Sequence, residues 1–221
     1  KQKLPMALIH EAIGEIVWDP KGEFKAGERV VMIPNTPMEE DSVIAENYLR
    51  TSKFRASGFD GFMQDVVNMR RDRIVRVPRN INPFVAAFTE LVSVSVHAID
   101  RFDKIAHERR KTVGIWGDGN LGYITAIFFK AMFPEVKLCI FGLDENKLSD
   151  FTFADDTFSI TSIPDDLSID HAFECVGGEG SPKAINQIID YINPEGTISI
   201  LGVSENPVAI NTRMILEKGL R

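Results

Sequence analysis

Residues 112–147, TVGIWGDGNLGYITAIFFKAMFPEVKLCIFGLDENK, constrain the fold of this chain more than any other stretch. They open on an apolar, β-branched run (112–116) and break on Gly117-Asp118-Gly119-Asn120-Leu121-Gly122. Helical periodicity then runs to Phe133 and stops at Pro134, and a second apolar run follows at 136–141. Strand, glycine turn, helix and strand in that order make one βαβ unit with G-x-G-x-x-G at its first turn. Each glycine has a mechanical job in such a unit. Gly117 allows the tight turn, Gly119 lets the backbone come close to a pyrophosphate, and Gly122 lets helix and strand pack together. The first N–H groups of the helix, around Asn120, Leu121 and Gly122, face the phosphates together with the positive end of the helix dipole.

From residue 112 onward, strands alternate with helices. A weak strand is expected near 157–160 and a better one at 169–175. The glycines Gly177, Gly178 and Gly180 then turn the chain, Ser181-Pro182 starts a helix to about Ile192, and a strong strand is expected over 197–203. This pattern implies an α/β fold with a doubly wound parallel sheet of the Rossmann type. Before it, short apolar runs at 4–18, 29–33, 62–68 and 73–77 are punctuated by glycine and proline and read as a small, loop-rich β domain. Residues 35–61 form a polar excursion without a clear period, a length that usually means function or mobility. Asn82-Pro83 is a helix start, a capping side chain followed by proline at the first helical position, with the helix running to about Phe102. Two domains are therefore expected, residues 1–80 and 81–221.

Composition narrows the classes. The 221 residues carry a formal charge of −7, which argues against a general nucleic-acid binder and against an anionic membrane surface. No run reaches the length of a transmembrane helix, and nothing has the pattern of a signal peptide. Both cysteines, Cys139 and Cys175, lie in apolar strand-like runs and read as buried core thiols of a reducing compartment, so a cytoplasmic protein is expected. The chain opens without methionine inside a patterned segment and ends on Gly219-Leu220-Arg221, which suggests part of something longer.

His10-Glu11 has two readings. One is a strand end with a partly exposed histidine and a solvated glutamate. The other is metal chemistry: a zinc ion that polarises a carbonyl needs three or four His, Cys or carboxylate ligands and an open position. His10, Glu11 and Glu90 offer three. Glu90 is an isolated carboxylate on an apolar helix, where it faces a desolvation cost of several kcal/mol unless it is paired or bound to metal.

These residues sit in a pattern that resembles the medium-chain dehydrogenase/reductases, the superfamily of zinc-dependent alcohol and polyol dehydrogenases. The Gly-His-Glu motif of that family is matched by Ile9-His10-Glu11-Ala12-Ile13-Gly14, its Asp-Gly-Phe by Asp60-Gly61-Phe62, and its Glu-Pro-Leu-Ser-Val by Glu90-Leu91-Val92-Ser93-Val94. The resemblance covers essentially the whole chain. It implies a partial GroES-like small β domain beside the Rossmann domain, each lacking a terminal part, and a catalytic Zn2+ at His10, Glu11 and Glu90. In this reading His10 is a ligand, while Glu11 and Glu90 are ligands or exchange with a zinc-bound water. The cysteine ligand that the family places further upstream has no counterpart before Leu4. The family's structural zinc lobe uses four cysteines, and residues 35–57 contain none, so ligand chemistry rules out a structural zinc there. Longer words, among them VVMIPNTP, AENYLRTSKFRASGFDGFMQ and GIWGDGNLG, resemble the ribulose-5-phosphate reductases. These make ribitol 5-phosphate for teichoic acid or capsule synthesis, some of them fused to or beside a ribitol-5-phosphate cytidylyltransferase. A homo-oligomer is the family expectation.

Cofactor choice rests on the end of the second strand. In NAD enzymes an acidic residue about 20 positions beyond the glycine motif binds the ribose 2′-hydroxyl. Here that position is Gly142, which favours NADP(H), as the resemblance also implies. Asp144 and Glu145 follow and could reach the ribose. Lys147 is the nearby cation, either a partner of the 2′-phosphate or a solvated surface lysine. A substrate phosphate would be clamped by an arginine or lysine such as Lys53, Arg55 or the Arg70-Arg71 pair. Two rival readings share the fold: a dehydrogenase of an unphosphorylated polyol such as sorbitol, and a dinucleotide-binding module without catalysis.

Overall fold

A computed structural model describes residues 4–221; residues 1–3 of the expected first domain lie outside the described residues. The chain forms two compact units, dividing between Leu91 and Val92. Glu90 is thereby grouped with the small N-terminal unit.

In that unit β1 (Ile13–Glu15), β2 (Arg29–Met32), β3 (Asn35–Thr36), β4 (Lys53–Phe54) and β5 (Ile74–Arg76) are short. β1, β2 and β5 form an antiparallel sheet with β2 in the middle, and β3 pairs with β4. Val30 and Val31 of the central strand are buried with Phe62. The polar excursion thus contains a two-stranded ribbon. Its far end is held by an ion pair and a hydrogen bond: Arg73, buried to 8% exposure, reaches Glu46 at 2.6 Å, and the Thr51 hydroxyl donates to Glu39 at 2.6 Å. Residues 62–68, expected to be strand-like, form no strand. The N–H groups at their start are drawn instead to the carbonyls of Ile9 and Leu8.

The helical stretch after Pro78 is two helices, α1 (Pro83–Ala86) and α2 (Thr89–Ile105). The Asn82 side chain caps α1 by accepting from the Phe84 N–H at 2.9 Å, with Pro83 at the first helical position.

The second unit contains β6 (Thr112–Trp116), α3 (Asn120–Met132), β7 (Lys137–Gly142), α4 (Glu145–Ser149), β8 (Asp156–Ser159), β9 (His171–Glu174), α5 (Ser181–Tyr191), β10 (Ile198–Ile200) and α6 (Thr212–Lys218). The five strands are parallel in the order β10-β9-β6-β7-β8. Alternation along the strands fills both faces. Val113, Ile115, Leu138, Ile140 and Phe173 pack on one side with Ile99, Phe102 and Phe129 of α2 and α3. Trp116, Cys139, Phe141 and Ala172 pack on the other with Ile188 of α5. A sheet buried on both faces is the ordinary condition of parallel strands. The chain runs outward from β6 through β7 to β8 and then returns to β9 on the other side of β6, so the topological switch lies between the C-terminal ends of β6 and β9. β10 is shorter than the sequence suggests: the Leu201 N–H makes the last ladder bond to the Glu174 carbonyl, and the Gly202 N–H turns to the same oxygen instead of continuing the ladder. Both cysteines are buried and free, and burial pushes their thiols up, Cys139 to about 11 and Cys175 to about 12.

His171, fully buried at the start of β9, gives the fold a pH dependence. Its Nδ1 accepts from the Thr197 N–H at 3.1 Å, which leaves Nε2 as the protonated nitrogen, donating to the Arg109 carbonyl at 3.1 Å. Burial, and then repulsion from the His107 ring whose centroid lies 4.3 Å away, lowers its pKa to about 4. A histidine held neutral in the fold and free to protonate when unfolded leaves stability intact above pH 6.5 and removes it as pH falls toward 4, by roughly 3 kcal/mol over that window. Denaturant midpoints between pH 7 and pH 4 should show this decline, and a His171→Gln variant should show a shallower one.

Candidate metal centre and dinucleotide turn

The first site is built by the segment before β1. Ile9 has φ of 68°, a left-handed conformation costly for a β-branched residue, so the backbone at His10 is held by its surroundings. What holds it is Asp60-Gly61-Phe62. An Asp60 carboxylate oxygen accepts from the Ala7 N–H at 2.8 Å. Gly61 N donates to the Ala7 carbonyl at 2.8 Å, and Phe62 N to the Ile9 carbonyl at 2.7 Å. A β-carbon on Gly61 would stand 2.2 Å from the Ile9 oxygen and 2.3 Å from that of Leu8, so only glycine lets the two backbones approach this closely. His10 also meets the Phe54 ring of β4 edge-on, with centroids 5.1 Å apart.

This support brings His10 and Glu11 to Glu90 in the first turn of α2. One ligand atom from each of the three half-buried residues lies within 4.8 Å of the others, beside a shallow pocket lined by Ile9, His10, Glu11, Ala87 and Phe88. Burial raises the pKa of Glu90; the His10 charge pulls it back and Glu11 pushes it up again. One imidazole and two carboxylates are ordinary zinc donors, and three protein ligands with one open position are the catalytic pattern. Zinc bonds of about 2.1 Å give a tetrahedral edge of roughly 3.4 Å, so the three donor atoms would draw closer together on binding an ion. The donor set fits a divalent zinc ion.

The second site is the turn between β6 and α3. Gly117 has φ of 131° and donates to the Phe141 carbonyl at 2.8 Å. A β-carbon on Gly122 would lie 2.0 Å from the Gly117 oxygen, whereas one on Gly119 would meet nothing within 4 Å. Gly119 precedes Asn120 at the N-terminus of α3, so the open space lies where the helix's first N–H groups point. A pyrophosphate fits such a cradle.

At the end of β7 the structure adds what the sequence did not reveal. The Asp118 carboxylate accepts from the N–H groups of Leu143 and Asp144, each at 2.8 Å. A β-carbon on Gly142 would lie 2.7 Å from it. Gly142 is therefore required by Asp118, a reason separate from any effect on the cofactor. Asp144 caps α4, accepting from Asn146 N at 2.9 Å and Lys147 N at 3.4 Å, while Glu145 and Lys147 stand exposed on that helix. Of the expected phosphate clamps, Arg55 donates to the carbonyls of Asp60 and Asn68 at 3.0 Å, Arg70 is paired with Asp72, and Arg71 with Asp19; Lys53 is exposed. The arginines hold the small unit together. Among the described residues no helix is long and apolar enough to cross a membrane.

No family model matches the chain. It is 60% identical over 219 residues to ribulose-5-phosphate reductase 1 of Staphylococcus aureus and 58% identical over 219 residues to the ribulose-5-phosphate reductase of Bacillus spizizenii, covering 99% of this chain in each case. The chain spans 64% of the length of each of these relatives. The crystal structure of S. aureus TarJ in complex with NADPH superposes with a TM-score of 0.84 at 54% identity, covering 99% of this chain and 62% of that one.

Proposed function

We propose, from the premise that this chain is a close homologue of the ribulose-5-phosphate reductases and carries the fold of the zinc-dependent medium-chain dehydrogenases, that it serves the NADPH-dependent reduction of D-ribulose 5-phosphate to D-ribitol 5-phosphate. The observation that carries this reading is the convergence of His10, Glu11 and Glu90 within 4.8 Å in a chain of such close likeness. When bound, zinc supplies Lewis acidity toward the ketose carbonyl and NADPH supplies the hydride. His10 presents an imidazole nitrogen to the metal, and Glu11 and Glu90 present carboxylates that offset its charge. Residues 60–62 hold the His10 backbone in place. Gly117, Gly119 and Gly122, with the α3 N–H groups of Asn120 and Leu121, seat the pyrophosphate; Gly142 adds no carboxylate of its own toward the 2′-phosphate, and the neighbouring Asp118 carboxylate is engaged by the N–H groups of Leu143 and Asp144. Lys147 is the cation offered to that phosphate.

In this reading the product feeds CDP-ribitol synthesis for teichoic acid or capsule polymers, through a ribitol-5-phosphate cytidylyltransferase fused or associated with the enzyme. The enzyme is a cytoplasmic homo-oligomer. The test is NADPH oxidation by the full-length protein with D-ribulose 5-phosphate, beside NADH, unphosphorylated ketoses and chelator-stripped protein. Metal-dependent turnover confined to NADPH and the phosphorylated ketose is expected. Activity on free polyols alone would point to a sorbitol-type dehydrogenase, and NADPH binding without turnover to a non-catalytic module. His10→Ala is expected to lose zinc, measured by elemental analysis, and activity together, by more than the roughly 100-fold that loss of a supporting residue costs.

A further inference from the structure

Glu174 closes β9 at the topological switch and is fully buried. Burying a carboxylate is costly unless its oxygens are satisfied by donors. Here the donors are three backbone N–H groups from two loops. One carboxylate oxygen accepts from Val176 N at 3.0 Å and Gly177 N at 2.8 Å; the other accepts at 3.2 Å from Gly202 N, which shares its hydrogen with the Glu174 carbonyl at 3.0 Å. The loops are laced further by Gly178 N donating to the Val203 carbonyl at 2.8 Å and by the Ser204 hydroxyl donating to the Gly178 carbonyl at 3.2 Å. The fit is tight: a β-carbon on Gly202 would stand 2.6 Å from the Glu174 carboxylate and 2.3 Å from Gly177 N. The same loop borders the glycine turn, because a β-carbon on Gly117 would lie 2.9 Å from the Cys175 carbonyl oxygen. Cys175 N in turn donates to the Trp116 carbonyl at 2.7 Å.

We infer that Glu174 is a positioning residue for the dinucleotide. Its carboxylate fixes the loops after β9 and β10 as one rigid wall of the crevice whose other wall is the glycine turn. Ligands of open α/β sheets bind in that crevice, outside the carboxyl ends of the strands on either side of the switch. Backbone that is already ordered when the cofactor arrives loses less freedom on binding, so the clamp acts through affinity. The inference rests on the dinucleotide-binding part of the proposed function and adds a residue outside the glycine motif to it.

The test is Glu174→Gln in the full-length protein. The substitution keeps shape and volume but replaces one acceptor oxygen by an NH2 group, so in either amide orientation at least one loop N–H faces a donor. Loss of a charge-assisted hydrogen bond is expected to raise the Kd and KM for NADPH about tenfold while the KM for the sugar phosphate stays near that of the wild type. Amide exchange at Val176, Gly177 and Gly202, slow in the cofactor-free wild type, is expected to accelerate. A purely structural role would lower the melting temperature and leave the Kd for NADPH unchanged; a folded variant that binds NADPH as the wild type does overturns the assignment. Should Glu174→Gln fail to fold, the wild type decides, since unprotected amides at those three positions without cofactor also overturn it. A wild-type protein that binds neither NADPH nor NADH overturns this inference and the proposed function together, whereas wild-type turnover beside an unaffected variant overturns the inference alone.

Discussion

Gly61→Ala is expected to weaken zinc binding at the proposed His10, Glu11 and Glu90 site although residue 61 carries no ligand. The added β-carbon would sit 2.2 Å from the Ile9 carbonyl oxygen, 2.3 Å from that of Leu8 and 2.7 Å from the Leu8 carbonyl carbon. All three are backbone atoms, so no side chain can rotate away. The segment of residues 7–11 must move outward by about an ångström or more to restore ordinary contact, and the hydrogen bonds from Gly61, Phe62 and Met63 to Ala7, Ile9 and Leu8 lengthen with it. Strain of this kind costs about 3 kcal/mol. The displacement is inherited by His10, whose backbone follows the left-handed Ile9 directly. A metal site tolerates deviations of only about 0.2 Å in its ligand distances, so affinity is lost before the fold is. Zinc-to-protein ratio and melting temperature, measured together, check this. Gly58→Ala is the control: its β-carbon would come no closer than 3.7 Å to any atom, and a change within about 0.5 kcal/mol is expected. A Gly61→Ala protein with full zinc occupancy would sink the account of the Asp60-Gly61-Phe62 support.

Gly122→Ala is expected to have the larger effect on the second unit. Its β-carbon would lie 2.0 Å from the Gly117 oxygen and 2.9 Å from the Gly117 carbonyl carbon, inside the turn that joins β6 to α3. Either α3 lifts from the sheet, exposing Ala126 and Phe129 of the core, or the turn unwinds. Both outcomes destabilise the unit by several kcal/mol. Gly119→Ala separates stability from binding. Its β-carbon meets nothing and its φ of −91° suits any residue, so the fold is expected to survive while the methyl group occupies the space offered to the pyrophosphate. Thermal unfolding and NADPH titration of the two variants should therefore diverge. Gly122→Ala is expected to lose both stability and binding, and Gly119→Ala only binding. Equal melting temperatures for Gly122→Ala and the wild type would contradict the close-packing role.

Much of the second unit is local in origin, and for that reason legible in the chain. The runs at 112–116 and 136–141 are long enough to fill both faces of a parallel sheet, and β6 and β7 lie there. Pro134 follows the end of α3 and Pro182 sits in the first turn of α5, positions that the missing N–H and fixed φ of proline favour. The small unit was less legible because its strands are two to four residues long, too short to show a period. Its basic residues were read as candidate phosphate ligands because charge is visible in sequence. The partner of Arg71, Asp19, lies 52 positions away in the chain, where no local pattern announces it.

The sequence by itself determined the order of strands and helices in the nucleotide unit, the glycine turn with its three separate uses, and a set of N and O donors suited to zinc. These depend on residue type and near-neighbour spacing, which the chain carries at every point. The pairing of Glu90 with His10, eighty positions apart, is implied in the sequence by family resemblance alone; the tertiary structure adds the distance, one ligand atom of each lying within 4.8 Å of the others. Only it showed that Gly142 answers to Asp118, and that Glu174 gathers two loops. Contacts of that kind arise where backbones from distant segments meet at fixed distances. No periodicity records such a meeting, because the chain between the segments leaves their separation free until the core has packed.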